Sequence, residues 1–567
     1  MKILVLLVIV ISAVTFAQPQ TFRSMSTSGL ILDGLDRWFG GMLFTQPVPD
    51  RLLEDPGIRV YTGLSNLSTG ADLVFDETDD TRGSFLLGGS YVPLEASFGL
   101  GVLTEFMNER FFDEITLLGA GGVPYVSGEG TVEGTWSEYI DTNGDGTLDS
   151  RHTVHETAEA RTDSSLTSAG VYGAYEVSET LRIGLGVSYT TNSTEVLDED
   201  DNRSISIADS NLVTGVETYT LDSSGEGFSR DDRSSIEVAV SATSAVTDVM
   251  DIGGMFLFTS ISSDISYEAD HSGTEDFLPG ETGVYDIATW SESENYSVSP
   301  GGSRFGGGLN MDLSLDENWT LEASGGFYTA SLSGSSDQYS ISMDSSYILS
   351  IASLINSTIF DMNGSGGTDI DIADDLFAFG TKLTFDTSER FTISMGMGFF
   401  KHDLSSTVHN TSSNILIETY FDGDEEFADP DDYISTTTWS QTDETITTES
   451  ITKIAIPVGL EFEVLPKVCV RLGASPGFVW ESETETTSLL EASPIVNHTV
   501  YGDGSEQQSV ESPFETVDGT LVETDDKYTE IPYSYGVGYM PNDYIQIDLM
   551  GLGNSLNQWR LSATLSF

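Results

Sequence analysis

Cysteine is nearly missing from this chain of 567 residues, and basic residues are scarce. The one cysteine, Cys469, excludes an intramolecular disulfide, and it lies too far from the N-terminus to anchor a lipid there. Against 91 Asp and Glu stand only 22 Lys and Arg, a formal charge of -69 that repels nucleic acid and anionic membrane surfaces alike. Beyond residue 17 no apolar run approaches the roughly 20 residues of a membrane helix. Long helical patterns are scarce as well. What is abundant is Gly, 57 residues of it, together with Ser and Thr, a composition suited to many strands and turns. The acidity fits either a solvated exterior or a surface that meets cations, such as the divalent ions that bridge lipopolysaccharide and protein.

The two ends of the chain are informative. Met1 and Lys2 lead into an apolar stretch over residues 3–11 and then small residues, Thr15 and Ala17. This pattern predicts a secretory signal peptide over 1–17, cleaved before Gln18. At the other end Trp559, Leu561, Ala563, Leu565 and Phe567 alternate with Arg560, Ser562, Thr564 and Ser566, giving a strand with one apolar and one polar face. A last strand of this kind, ending on phenylalanine, resembles the C-terminal assembly signal of bacterial outer-membrane β-barrels. The resemblance implies export to the outer membrane, contact with its lipid and lipopolysaccharide, and recognition of the last strand by the barrel assembly machinery.

The middle of the chain repeats the same alternation in segments of about ten residues, the length of a tilted barrel strand. In 181–189, Leu181, Ile183, Leu185, Val187 and Tyr189 face one way and Arg182, Gly184, Gly186 and Ser188 the other. Segments 391–399 and 454–462 read alike, with small or polar second faces. A soluble sandwich would show water a more highly charged face. Short turns recur at 93–94, 178–180, 247–250, 316–318, 386–389, 466–467 and 541–543, and long polar stretches separate the pairs they join. The predicted fold is an all-β, porin-like transmembrane antiparallel barrel of about 16 strands, within a range of about 14 to 18, over residues 71–567. Residues 18–70 are expected at the periplasmic mouth or as a lumen plug, although 60–66 also reads as a strand.

The exterior loops are expected at 107–167, 194–233, 267–302, 335–373, 405–452 and 486–526, with strands extending into them beyond the bilayer. Within one of them, residues 347–360 carry apolar side chains at i, i+3, i+4 and i+7. That spacing predicts a short amphipathic helix, folded into the lumen as a constriction or packed over the rim.

Three sets of residues carry candidate chemistry. Asp141, Asn143, Asp145, Thr147 and Asp149, with Gly146 at position 6, match the first nine positions of an EF-hand calcium loop. Position 12 is His152 rather than Glu, and the same residues also suit a plain hairpin turn, so Ca²⁺ is a possible ligand and no cofactor is required. His152 with His155 and Glu156, and His402 beside Asp403 near an outer strand end, are the histidine clusters a rim hydrolase would use. Neither stands in a protease or phospholipase motif, so no enzymatic activity is expected. Finally, strand parity directs Glu237, Asp312, Glu322, Glu461, Glu463 and Asp548 into the lumen with Arg182, Lys382, Arg471 and Arg560. Such a lining suits a passive channel or transporter for small solutes with a preference for cations, or charges that pair and fill the barrel. The rival reading is a surface-interaction barrel with acidic, calcium-binding loops and a closed lumen.

Overall fold

The computed structural model describes residues 48–54, 56–68, 81–93, 97–112, 114–118, 124–140, 148, 150–198, 201–212, 217–277, 284–351, 354–388, 391–422, 431–515, 519–531, 533–542, 544–552 and 558–567. The proposed signal peptide and Asp141, Asn143, Asp145, Thr147 and Asp149 lie outside them. No helix among the described residues is long and apolar enough to cross a membrane.

The chain instead builds a ring of antiparallel staves, several of them interrupted. It opens with β1 (Gly57–Ser68), β2 (Thr81–Val92) and β3 (Phe98–Phe112). A separate hairpin, β4 (Glu114–Leu118) and β5 (Pro124–Glu129), leads to β6 (Thr131–Ile140), and the chain returns through β7 (Ser150–Glu159) and β8 (Arg161–Ser178). Because β8 pairs with β3 and β7 with β6, each pair of segments forms one tall stave. Next rise β9 (Leu181–Leu197) and β10 (Arg203–Asn211), both paired to β11 (Glu217–Thr247). Then come β12 (Met250–Asp276), β13 (Val284–Val298) continued by β14 (Gly301–Ser314), β15 (Trp319–Ile351), β16 (Leu354–Ser388) and β17 (Phe391–Asp422). The last part holds β18 (Tyr433–Ala455) continued by β19 (Val458–Leu465), then β20 (Val468–Ala474) continued by β21 (Gly477–Ala492) and β22 (Ile495–Tyr501). After the short β23 (Glu506–Glu511) follow β24 (Thr520–Glu530) continued by β25 (Tyr533–Asn542), β26 (Ile545–Leu552) and β27 (Gln558–Ser566). Pairing of β27 with β1 closes the ring, which numbers about 16 staves when each interrupted one is counted once.

The wall therefore begins at Gly57 and not near Ala71: β1 hydrogen-bonds to both β2 and β27. Four of the interruptions sit at prolines among the described residues, Pro300, Pro457, Pro476 and Pro494, which lack the N–H a ladder needs, and the first three still accept ladder bonds. Their carbonyls keep the wall connected, accepting from Ser263 N at Pro300 (2.9 Å), Gly396 N at Pro457 (2.9 Å) and Ile456 N at Pro476 (2.8 Å).

At the short-turn end, side chains complete the backbone bonds that the turns leave open. Asp316 Oδ1 accepts from Asn318 N (2.7 Å) and Trp319 N (3.0 Å), and Asn542 Oδ1 accepts from Tyr544 N (2.9 Å). At the opposite end the staves run on: the 35 residues of β16 correspond to roughly 110 Å of extended chain, against about 30 Å of hydrocarbon in a bilayer. Most of each expected exterior loop is thus strand.

The predicted helix at 347–360 is also strand. Tyr347 pairs with Thr358 and Ile351 with Leu354 across the hairpin between β15 and β16. Its apolar spacing is met by chance within a serine- and isoleucine-rich segment that gains a ladder bond at each pair by extending the hairpin below it. No helical constriction forms there.

Just above the turns, large apolar side chains point outward in a belt. Ile183, Leu185, Val187 and Tyr189 are exposed on β9, as are Phe256 on β12, Met395 and Met397 on β17, and Val537 on β25. Their neighbours Ser188, Thr259 and Ser394 are buried on the inner face. A contiguous apolar belt is unstable in water and matches the lipid-facing band of a transmembrane barrel.

Candidate functional site: a short segment against the inner wall

The six residues Pro49–Glu54 form a short 3₁₀ segment, called the turn below. It packs against the inner faces of β8, β9 and β11. Leu52 is fully buried with Tyr61, Leu86, Val92, Tyr172 and Ala174, and Val48 packs with Ala239, Met255 and Leu257. This apolar contact contributes most to holding the turn in place, on the order of 2 kcal/mol for a buried leucine.

Glycines on the wall make room for it. A Cβ at Gly184 would lie 2.2 Å from Asp50 N and 2.5 Å from Pro49 C, so only glycine lets the turn lie against β9. Gly186 similarly leaves space for the ring of Tyr172, 2.7 Å from where its Cβ would be.

Polar contacts then fix the turn's orientation. Asp50 N donates to Ser241 Oγ at 3.0 Å. Arg51 Nη2 donates to Asp312 Oδ2 at 2.9 Å, with the arginine side chain buried. Arg182 Nη2 lies 3.0 Å from Glu54 Oε1 and 4.0 Å from Asp251 Oδ2. The carboxylate oxygens of Asp50 are buried and have no hydrogen-bond partner among the described residues.

Several other lumen charges stand in pairs of opposite sign. Lys382 Nζ meets Glu322 Oε1 at 2.7 Å, and Glu237 accepts from Thr259 Oγ1 at 3.3 Å and lies 3.2 Å from Arg304 Nη2. Arg471 bridges Glu461 (2.9 Å) and Asp548. Glu463 is opposite Cys469 in the register of β19 and β20, on the same face as Glu461. Arg560 is on β27, paired to Met550 and Ser65.

Sequence parity missed several lumen cations, Arg51 and Arg304 among them. Arg304 was readable, since Phe305 beside it faces outward. Arg51 was not, because a six-residue turn has no periodicity.

The histidine clusters separate. His402 is buried inside the barrel with its Nε2 2.7 Å from Asp374 Oδ1, whereas Asp403 on the opposite face binds Lys401 (2.7 Å) and Ser450 (2.6 Å). Successive strand residues cannot share a site, so His402 and Asp403 are not a rim pair. His152 and His155 likewise face opposite ways, His152 toward Asp209 (2.5 Å) and the ring of Trp136, His155 toward Thr135 (2.9 Å). Above the lipid belt Asp201 accepts from Tyr267 Oη (3.1 Å) and lies 3.5 Å from His271. Burial holds the Asp201 carboxyl above its ordinary range against the opposing effect of these two partners.

The closed wall, the lipid-facing belt and the polar lumen define a transmembrane β-barrel. Among solved structures, the chain is similar to the TodX monoaromatic hydrocarbon channel (a deltaS2 mutant), at 10% identity and a TM-score of 0.33, covering 96% of this chain and 98% of that one. It is also similar to a FadL homologue of Pseudomonas aeruginosa, at 9% identity and a TM-score of 0.24, covering 95% and 99%. A point mutant of the ferric enterobactin receptor PfeA of the same organism overlaps at 10% identity and a TM-score of 0.27, covering 90% and 80%. These overlaps are too loose to transfer a function. No protein-family model matches the chain, and no curated protein matches it in sequence.

Proposed function

We propose that the protein is a transport barrel for small solutes whose lumen is closed at rest by the 49–54 turn and opens when that turn is displaced. The observation that carries this reading is the clamp itself: the turn is tied to β9, β11 and β14 by Glu54, Asp50 and Arg51. A segment held by one leucine and a few polar bonds can leave and return at moderate cost, which a permanent filler of the lumen would not need. A preference for cations is supported by Glu461, Glu463 and Asp548 sharing a region with Arg471.

The tall exterior staves favour one second reading, a surface-binding barrel with a permanently closed lumen. Planar-bilayer recording separates the two. The intact chain is expected to conduct rarely, and a variant with residues 49–54 replaced by Gly and Ser to conduct steadily, with a reversal potential on the cation side in a KCl gradient. Silence from both, when folded and inserted, overturns the transport reading in favour of surface binding.

A further inference from the structure

The exterior part of the wall stops short on one side. β25 is paired along both edges, to β20 and to β26, and β26 ends at Leu552, opposite Ser534. The strand that β25 continues, β24, stands beyond that point with β21 along one edge and, among the described residues, no strand along the other. Its 11 residues span roughly 36 Å. In an antiparallel strand alternate N–H and C=O groups point to each edge, so the outer edge of β24 offers a row of donors and acceptors to an incoming strand.

Exposed edges are ordinarily spoiled by a proline, a bulge or a short length. β24 has none of these. It contains no proline, its register with β21 runs from Glu530 opposite Gly477 to Thr520 opposite Thr487 without a shift, and it is longer than the mean strand of about 5–6 residues. Residues 522–529 are all exposed. Charge is the one protective device the strand carries, and it is almost entirely of one sign: Glu523 and Asp525 fall on one face and Asp526 on the other, with Lys527 as the sole base.

Beside this edge the wall sets like charges opposite each other. Glu481, which accepts from Tyr528 Oη at 2.7 Å, is opposite Asp526, and Glu483 is opposite Glu449. Directly opposed like charges are unfavourable in a sheet, and a basic neighbour relieves them.

These charges decide what the edge accepts. A second copy of the same edge would bring Glu523, Asp525 and Asp526 against themselves, and a neutral strand would gain the backbone bonds alone. A strand rich in Lys or Arg gains the backbone bonds and, at alternate positions, opposite-charge pairs with Glu523 and Asp525 on one face or Asp526 on the other.

We infer that the outer edge of β24 is a docking site for an extended basic segment of a partner protein, which adds to the exterior wall as a further strand. The site does not involve the 49–54 turn, and it stands or falls separately from the transport reading.

The test uses the refolded, full-length barrel in detergent and a fluorescent, end-capped peptide of about ten residues alternating Lys and Thr, followed by anisotropy at about 0.15 M salt so that loose surface attraction is screened. Two further peptides carry N-methyl groups, one on its lysines and the other on its threonines, so that each loses the N–H groups of one edge only. One of the two is expected to bind roughly tenfold or more weakly than the parent and the other about as well, and the bound parent to slow hydrogen exchange at alternate residues of 522–529. Glu523→Lys combined with Asp525→Lys is expected to raise the Kd of the parent peptide roughly fivefold or more in a barrel that still migrates as folded. Equal binding of both N-methyl peptides would reduce the contact to adsorption on an acidic protein and overturn the inference, as would an unchanged Kd in the double variant or no binding at all. A barrel that dimerises through β24 and leaves the peptide unbound would overturn it in favour of a second copy as the occupant.

Discussion

Removing the guanidinium of Arg51 is the most direct way to loosen the plug. A hydrogen bond between charged groups contributes about 1.5–3 kcal/mol. The Asp312 side chain is 34% exposed, so water compensates part of the loss, and roughly 1–2 kcal/mol is the better figure for Arg51→Ala. At about 1.4 kcal/mol per factor of ten, the ratio of unplugged to plugged lumen should rise roughly 5- to 30-fold. Leu52 supplies a second, larger handle. It is fully buried among Tyr61, Leu86 and Tyr172, and truncating a buried leucine to alanine costs about 2–5 kcal/mol. The order of effects is therefore fixed in advance: Leu52→Ala opens more than Arg51→Ala. Asp312→Asn should have a similar effect to Arg51→Ala, and the double variant should add little to either, because both remove one interaction. Single-channel open probability reads these ratios directly. If Arg51→Ala and Leu52→Ala both stay within about twofold of the unaltered chain at equal insertion, the turn is not a gate and the energetic reasoning fails.

Gly184→Val should expel the turn without touching any of its own residues, because the new Cβ would collide with the backbone at Asp50; raised protease sensitivity around residues 49–54, with the rest of the barrel intact, is the expected result. Asp50→Asn removes a buried carboxylate that lacks a hydrogen-bond partner among the described residues and should slow opening, seen as longer closed times. Leu185→Arg, in the middle of the lipid belt, should lower stability by about 2–4 kcal/mol in urea titrations of bilayer-embedded protein, and a cost near zero would mean that β9 does not face lipid there. Above the membrane, burial holds the Asp201 carboxyl higher than its ordinary 3.8, so the folded exterior binds a proton more readily than the unfolded chain does. Its stability should accordingly increase as pH falls from neutral through the range above 3.8, and Asp201→Asn should flatten that slope in hydrogen exchange of residues 263–273.

The barrel class, its stave number and the short-turn end were legible in the sequence because each depends on a local property. Side chains alternate with a period of two, and a turn is marked by the Asp, Asn and Pro that its geometry requires, as at Asp316 and Asn542. The inward direction of Glu237, Glu322, Lys382 and Arg471 follows from the same period. Partnership is not local. Nothing in the sequence relates Arg51 to Asp312, 261 positions away, or His402 to Asp374 across a strand boundary. The helix expected at 347–360 failed for a related reason. Its apolar spacing is satisfied by several periods, and the choice between them is made by a partner strand that the local pattern does not show.

One alternating pattern thus serves two solvents along the same stave. On β12 the outward positions are Ile252 and Phe256 low on the stave, and Glu268 and Asp270 higher up, while the inward positions keep their parity from Met255 through Ile265 to Ala269. The change of outward residues, with no change of period, marks where lipid gives way to water. Much of the chain's acidity falls on the water side of that boundary, where a carboxylate costs little to expose and many like charges discourage edge pairing between neighbouring barrels. Inside the lipid belt the same carboxylates would be expensive, and there they occur on the lumenal face against Arg51, Arg304, Lys382 or Arg471. Opening the lumen therefore means disturbing at least one of these pairs. The pairs that can be disturbed without bending the wall are Arg51 with Asp312 and Glu54 with Arg182, because Arg51 and Glu54 belong to a segment outside the ring.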